Sequence, residues 1–160
     1  MRIIRPGQTF DIIDARSSIF LAGPTPRDIW GQDWRAGAIS ILENEQSRDM
    51  PMFKTAFVPD PGDGTWLENY DAQVAWEFQA LEVSTIIMFW VPRELQTMPA
   101  FTTNVEFGMY MTSGRTVLGY PPVTPKMKYL DWHARRLNVP VRDNLRETIW
   151  AAQDMLDIVA

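Results

Sequence analysis

The feature that most constrains the fold is the apolar run TIIMFWV at residues 85–91. A strand with one solvent face alternates between apolar and polar side chains, and this run does not. The run therefore predicts a strand that is buried on both faces, which is typical of the centre of a parallel sheet.

Short apolar segments and helical segments alternate along the rest of the chain. Strands are expected at residues 18–22, 56–58, 85–91, 116–119 and 139–141, and helices at residues 28–42, 67–82, 103–113, 127–137 and 144–159. This order predicts an α/β, doubly wound sandwich around a central parallel five-stranded sheet. Residues 1–17 are expected to form an N-terminal arm or an edge hairpin, and residues 18–160 a single domain.

Composition excludes several classes of protein. The 160 residues include no cysteine, so disulfides, thiolate metal sites and a cysteine nucleophile are excluded. A formal charge of −5 argues against binding to a nucleic-acid polymer, which requires clustered Lys and Arg. No apolar run has the length of a membrane helix or a signal peptide, so a cytoplasmic protein is expected.

Ligands of doubly wound sheets bind beyond the carboxyl ends of the strands. Three loops are expected to meet there, at residues 23–30, 59–66 and 92–104. Gly23 lies in the first loop, where a glycine allows the backbone to approach a ligand closely. We therefore expect Gly23→Val to impair binding with little loss of fold.

Glu106 is the residue most suggestive of catalysis. It is expected in the first turn of the helix after the central strand, on the ligand side of the sheet. Thr103 precedes it by three residues, so the pair also fits a capping box without any catalytic role. Because Val105 and Phe107 flank Glu106, its carboxylate is expected to be partly enclosed.

Glu77 is the second candidate, between Trp76 and Phe78 in the helix that leads into the central strand. That helix also carries Tyr70, Val74, Phe78 and Leu81 on one face. The position suits either a carboxylate with a perturbed pKa or a surface glutamate. Two carboxylates near one ligand suit glycosidic chemistry, in which one attacks the anomeric carbon and the other positions or protonates.

Other catalytic arrangements have less support. The single histidine, His133, is expected on a late helix as a surface or packing residue, and neither a dinucleotide fingerprint nor a P-loop occurs. Trp30, Trp34, Trp66 and Trp90 lie in or near the expected ligand loops, where an aromatic ring can stack on a base. No metal or cofactor is expected.

Four motifs, in this order, resemble those of the nucleoside 2-deoxyribosyltransferases and their relatives. They are IFLAGP at residues 19–24, Trp76-Glu77, IIMFWVP at residues 86–92 and TNVEFG at residues 103–108. The similarity extends from Ser18 to the last helix. It implies a flavodoxin-like sandwich that forms a homo-oligomer.

The resemblance also implies roles for individual residues. Glu106 matches the nucleophile, which attacks C1′ of a 2′-deoxynucleoside, releases the base and holds the sugar until a second base or water takes it. Glu77 matches an acidic position that contacts the sugar or the base. The remaining residues expected to contact the substrate are Gly23, Pro24, Thr25, Trp30, Trp90, Thr103 and Asn104.

The chain departs from the family pattern in two places. Phe101, Thr102 and Asn104 stand where the family often has an acidic residue, and Thr85 stands where an Asp commonly begins the central strand. Three functions therefore remain open. They are transfer of 2-deoxyribose between bases, hydrolysis of a nucleoside or of a nucleoside monophosphate bound by Arg27 or Arg93, and sensing of a nucleotide without turnover.

Overall fold

The computed structural model describes residues 1–27, 33–44, 52–60 and 69–159. The strands in these ranges are β1 (Arg2–Ile4), β2 (Ser18–Ala22), β3 (Thr55–Phe57), β4 (Ile86–Trp90), β5 (Thr116–Gly119) and β6 (Val141–Arg142). The helices are α1 (Ile12–Ala15), α2 (Trp34–Asn44), α3 (Tyr70–Val83), α4 (Phe101–Tyr110), α5 (Lys128–Arg136) and α6 (Leu145–Val159). None of these helices is long and apolar enough to cross a membrane.

All strand pairs are parallel, and the six strands lie in the order β1-β3-β2-β4-β5-β6. The five strands from β2 to β6 have the flavodoxin-like order, in which the chain moves to one side of β2 and then returns to the other side. The predicted α/β sandwich is confirmed, but the predicted number of five strands is wrong.

The sixth strand comes from the N-terminal segment. Residues 2–4 pair in parallel with β3, and α1 follows, capped by the side chain of Asp11. The Phe10 ring packs against Phe57 and Trp76, and the Trp76 indole donates to the Gln8 carbonyl oxygen at 3.0 Å. The segment is therefore a sheet edge and a short helix rather than an arm or a hairpin, because β3 offers an open edge and α3 an aromatic surface.

The central strand is buried on both faces, as its sequence predicts. Ile87 and Phe89 point towards α3, α4 and α5, whereas Ile86 and Met88 point towards α2 and α6. All four side chains have no exposed surface. The two helix layers therefore leave only the ends of β4 open to a ligand.

Helix α4 begins earlier than its sequence predicts. Phe101 is its first residue, and Ala100 precedes it in the left-handed conformation with a φ of 61°. Glu106 therefore lies in the second turn rather than the first. Thr103 is inside the helix and makes no side-chain capping bond, so the capping-box interpretation of Glu106 is wrong.

Helix α3 buries a different face from its apolar stripe. Its buried residues are Gln73, Trp76, Ala80 and Leu81. Tyr70, Val74 and Phe78 are exposed. The helix thus presents a polar residue, Gln73, to the interior.

Candidate active site

A cavity of about 280 Å³ opens at the carboxyl edge of the sheet, between the ends of β2 and β4. The chain leaves β2 towards one side of the sheet and enters β4 on the other side. The two following loops therefore diverge and leave a crevice, which is where ligands bind in sheets of this kind. The volume suits a small ligand that is largely enclosed.

The loop after β2 forms one wall of the cavity, at Gly23, Pro24 and Thr25. Gly23 has a φ of +153°, and a Cβ atom there would lie 2.1 Å from the Trp90 carbonyl oxygen and 2.8 Å from the Trp34 ring. Any other residue would push β2 away from β4. The expectation that Gly23→Val leaves the fold intact is therefore wrong, because the glycine serves strand packing as well as the wall.

The opposite wall comes from the loop after β4 and the first turn of α4. Met98 and Phe101 supply apolar surface, and Tyr70 at the start of α3 adds a second aromatic ring. A flat base can stack on surfaces of this kind. The cavity therefore combines apolar walls with a few polar groups, as small-molecule sites do.

Glu106 reaches the floor of the cavity from the second turn of α4. The pKa of its carboxyl group is raised to about 8, mainly by burial and also by the negative charge of Glu77, while the positive charge of Arg35 lowers it. A shift of this kind results when a carboxyl group is removed from water, and such shifts are common in active sites.

Glu77 lines the same cavity from α3. Burial raises its pKa above the ordinary value, while a hydrogen bond from Gln73 and the charge of Arg35 lower it. The Gln73 carboxamide donates to Glu77 Oε1 at 2.9 Å from one helical turn earlier. The two glutamates line one cavity, and the negative charge of Glu77 is one cause of the raised pKa of Glu106.

Comparison with protein families identifies the family to which the chain belongs. A family model described as nucleoside 2-deoxyribosyltransferase like matches residues 16–123. The chain belongs to this family. The match spans β2 to the loop after β5 and includes both glutamates, so the resemblance seen in the sequence is confirmed. A comparison with curated proteins finds no match.

Most of the expected site residues of this deoxyribosyltransferase-like protein meet in the cavity. Its lining includes Glu106, Glu77, Gly23, Pro24, Thr25 and Thr103. Trp90 lies instead in the core between the sheet and α2 and α6, with its ring close to Gly119. Trp30 and Trp66 lie outside the described residues.

Asn104 does not line the cavity. Its side-chain oxygen accepts a hydrogen bond from Arg93, which also donates to the Lys126 carbonyl oxygen at 2.9 Å. Arg93 is 6% exposed and ties α4 to the loop before α5. Of the two arginines considered for a phosphate, only the exposed Arg27 lines the cavity.

Sequence reasoning missed two polar residues of the lining, Gln73 and Arg35. Gln73 lies one turn before Glu77, and that spacing could have indicated a side-chain hydrogen bond. Arg35 is 2% exposed, although an arginine on an amphipathic helix normally faces solvent. Among the described residues, no group of three or more His, Asp and Glu side chains is arranged to hold a metal ion.

The raised pKa of Glu106 predicts a pH-dependent effect on stability. Between its ordinary value of 4.5 and about 8, the folded protein binds more protons at this site than the unfolded chain. The free energy of unfolding therefore falls as pH rises through this window. Glu106→Gln removes the effect, so it should stabilise the protein by on the order of 2 kcal/mol more at pH 9 than at pH 5.

Urea unfolding of both proteins at several pH values measures this difference. Glu43→Gln, which changes an exposed glutamate on α2, is the matched control and should show no such trend. Parallel stability curves for Glu106→Gln and the wild type would contradict the burial of this carboxyl group.

Proposed function

We propose that this protein cleaves the N-glycosidic bond of a nucleoside or 2′-deoxynucleoside through a covalent glycosyl intermediate on Glu106. The sugar then passes to another base. The observation that carries the proposal is that Glu106 and Glu77 line one cavity at the switch point of the sheet. Membership of the nucleoside 2-deoxyribosyltransferase-like family supports the same chemistry.

In the first step the Glu106 carboxylate attacks C1′ of the sugar. The C1′–N bond breaks, and its electron pair leaves with the base. Because the pKa of both carboxyl groups is raised, the two glutamates hold a proton between them, and the reactive form is the one in which this proton is on Glu77 and Glu106 is ionised. Glu77 gives this proton to the departing nitrogen. The Gln73 hydrogen bond holds the Glu77 carboxyl group in place for this transfer.

In the second step a nitrogen of another base attacks C1′ and displaces Glu106, while Glu77 accepts the proton of that nitrogen. Two displacements at C1′ give overall retention of configuration. Tyr70, Met98 and Phe101 on the walls favour a flat base over water, which supports transfer over hydrolysis.

Arg27 favours a second candidate function. Its exposed side chain lines the cavity, and its backbone N–H donates to the Thr97 carbonyl oxygen at 3.1 Å. This backbone hydrogen bond joins the loop after β2 to the loop after β4. A guanidinium at this rim can bind a 5′-phosphate, so the alternative is hydrolysis of a nucleoside 5′-monophosphate.

Substitution of the two glutamates tests the proposal. Glu106→Ala and Glu106→Gln should lose at least about 10³-fold in kcat, because the covalent step is lost. Glu77→Gln should lose about 10²-fold, because the leaving base is no longer protonated. Chromatography of a 2′-deoxynucleoside incubated with a second free base measures exchange, and a release of free sugar measures hydrolysis.

The exposed Glu43→Gln is the control in these assays and should keep wild-type turnover. Near wild-type activity of Glu106→Gln would refute the assignment of the nucleophile. If the wild type binds nucleosides without turnover, the protein is a sensor.

We further propose that the protein forms a homo-oligomer through the exposed faces of α3 and α4. The exposed residues of α4 are all uncharged: Phe101, Thr102, Val105, Gly108 and Met109. Tyr70, Val74 and Phe78 form a parallel apolar stripe on α3. A soluble helix normally carries charges on its solvent face, so this surface suits a partner.

A second copy of the chain is the occupant that the surface supports. A largely uncharged face is self-complementary across a twofold axis. Gly108 faces open space, and its lack of a side chain leaves room for close approach of another helix. Tyr70 and Phe101 belong both to this face and to the cavity lining, so a second copy would also close the cavity rim.

Val105→Asp tests this interface, because it places a charge at the centre of the α4 face. Sedimentation velocity should show an oligomer for the wild type and a monomer for Val105→Asp at micromolar concentration. Val123→Asp alters an even more exposed valine, in the loop between β5 and α5, and should remain oligomeric. A monomeric wild type would contradict the proposal.

A further inference from the structure

Arg35 is a buried charged residue whose role the proposed reaction does not use. It is the second residue of α2, and only 2% of its surface is exposed. A buried guanidinium is unfavourable unless hydrogen bonds and opposite charges compensate for its lost hydration. The contacts of Arg35 therefore indicate what its burial achieves.

The guanidinium binds the end of β2 and the loop that follows it. Nε donates to the Leu21 carbonyl oxygen at 3.1 Å, Nη2 to the Gly23 carbonyl oxygen at 2.5 Å, and Nη1 to Thr25 Oγ1 at 3.1 Å. These groups lie where β2 ends and strand pairing no longer satisfies the backbone. Arg35 thus holds the wall formed by residues 23–25 in one conformation.

Trp34 adds to the same arrangement. Its indole nitrogen donates to the Pro24 carbonyl oxygen at 3.0 Å, and its ring lies 4.7 Å from the guanidinium carbon of Arg35. The rigid, planar guanidinium can stack on a ring and bind several carbonyl groups at once, which a lysine ammonium cannot.

Arg35 also faces the two glutamates. Its positive charge lowers the pKa of both Glu77 and Glu106, against the burial that raises them. Asp33 forms an ion pair with Arg35 Nη1 at 3.2 Å; burial raises the pKa of Asp33, and the charge of Arg35 lowers it.

We infer that Arg35 is a positioning residue of the site: it fixes the wall at residues 23–25 and supplies the positive charge that faces Glu77 and Glu106. The kinetic part of this inference rests on the proposed function. The electrostatic part rests on the position of Arg35, which lines the same cavity as both glutamates. The role is distinct from catalysis, because the guanidinium acts through the loop and the carboxyl groups.

The pH dependence of Glu106 reflects several neighbouring groups. The titratable and charged residues around it are Arg35 on α2, Tyr70 and Glu77 on α3, Tyr110 on α4, and Arg27 on the loop after β2. Asp33 is one step further away, paired with Arg35. Of the two arginines, Arg35 is the one whose charge lowers the pKa of both glutamates. Replacing Arg35 by a neutral residue should therefore raise both pKa values.

Carbon-13 NMR of protein labelled at the glutamate carboxyl carbons measures these titrations directly, with Glu106→Gln and Glu77→Gln providing the assignments. In Arg35→Gln the pKa of Glu106 should rise by about one unit. Arg115→Gln is the matched control. Arg115 also donates to two carbonyl oxygens, of Leu81 and Ser84, and its guanidinium lies over Tyr110, but it lies at the opposite edge of the sheet. It should leave the Glu106 titration unchanged.

Kinetics with 2′-deoxyadenosine, 2′-deoxyinosine and thymidine, each with a second free base, distinguish the two roles of Arg35. These roles are to fix residues 23–25 and to supply positive charge. Arg35→Lys keeps the charge but loses the planar set of donors, so KM should rise about tenfold while Glu106 titrates as in the wild type. Thr25→Val removes one wall contact without altering any charge and should also raise KM.

A folded Arg35→Gln in which Glu106 titrates as in the wild type would overturn the electrostatic role. If Arg35→Gln does not fold, Arg35→Lys and Thr25→Val decide the matter, and an unchanged KM in both would overturn the inference. A wild type without turnover on any of these nucleosides would refute the proposed function, while the NMR titration would still test Arg35.

Discussion

Burial of β4 on both faces is the constraint on which the rest of the structure depends. Because Ile87 and Phe89 need cover on one side and Ile86 and Met88 on the other, helices must pack on both faces of the sheet. The chain then has to cross the sheet between β3 and β4, and this crossing creates the crevice beside β2. The cavity is thus a consequence of how the central strand is covered.

Close contact between β2 and β4 determines the shape of that crevice. Gly23 lets the loop after β2 approach the Trp90 carbonyl oxygen. Arg35 fixes the same loop by donating a hydrogen bond to the Gly23 carbonyl oxygen. Burial of Glu77 and Glu106 on the other side of the cavity is unfavourable for their ionised forms. One buried arginine opposes this effect, so the electrostatics of the site depend on the same residue as its shape.

The sequence predicted the features that follow from local pattern. The lack of alternation in residues 85–91 identified the central strand, and the position of Glu106 after that strand placed it on the ligand side. The family resemblance added Glu77 to the same site. Sequence reasoning failed where tertiary contacts decide. The N-terminal residues pair with the open edge of β3. Helix α4 begins at Phe101, directly after Ala100, whose left-handed conformation no sequence motif predicts. Arg35 was overlooked because helical periodicity says nothing about a side chain that bonds to a neighbouring loop.

The central claim is that Glu106 forms a covalent bond to the sugar, and intact-protein mass spectrometry tests it most directly. The protein is incubated with a 2′-deoxy-2′-fluoro nucleoside, in which the electronegative fluorine slows both displacements, and the modified peptide is then identified. A sugar-sized mass increase on the peptide that contains Glu106, absent in Glu106→Gln, is the predicted result. No adduct, together with a sugar product of inverted configuration, would contradict the account and would make Glu106 a base that activates water.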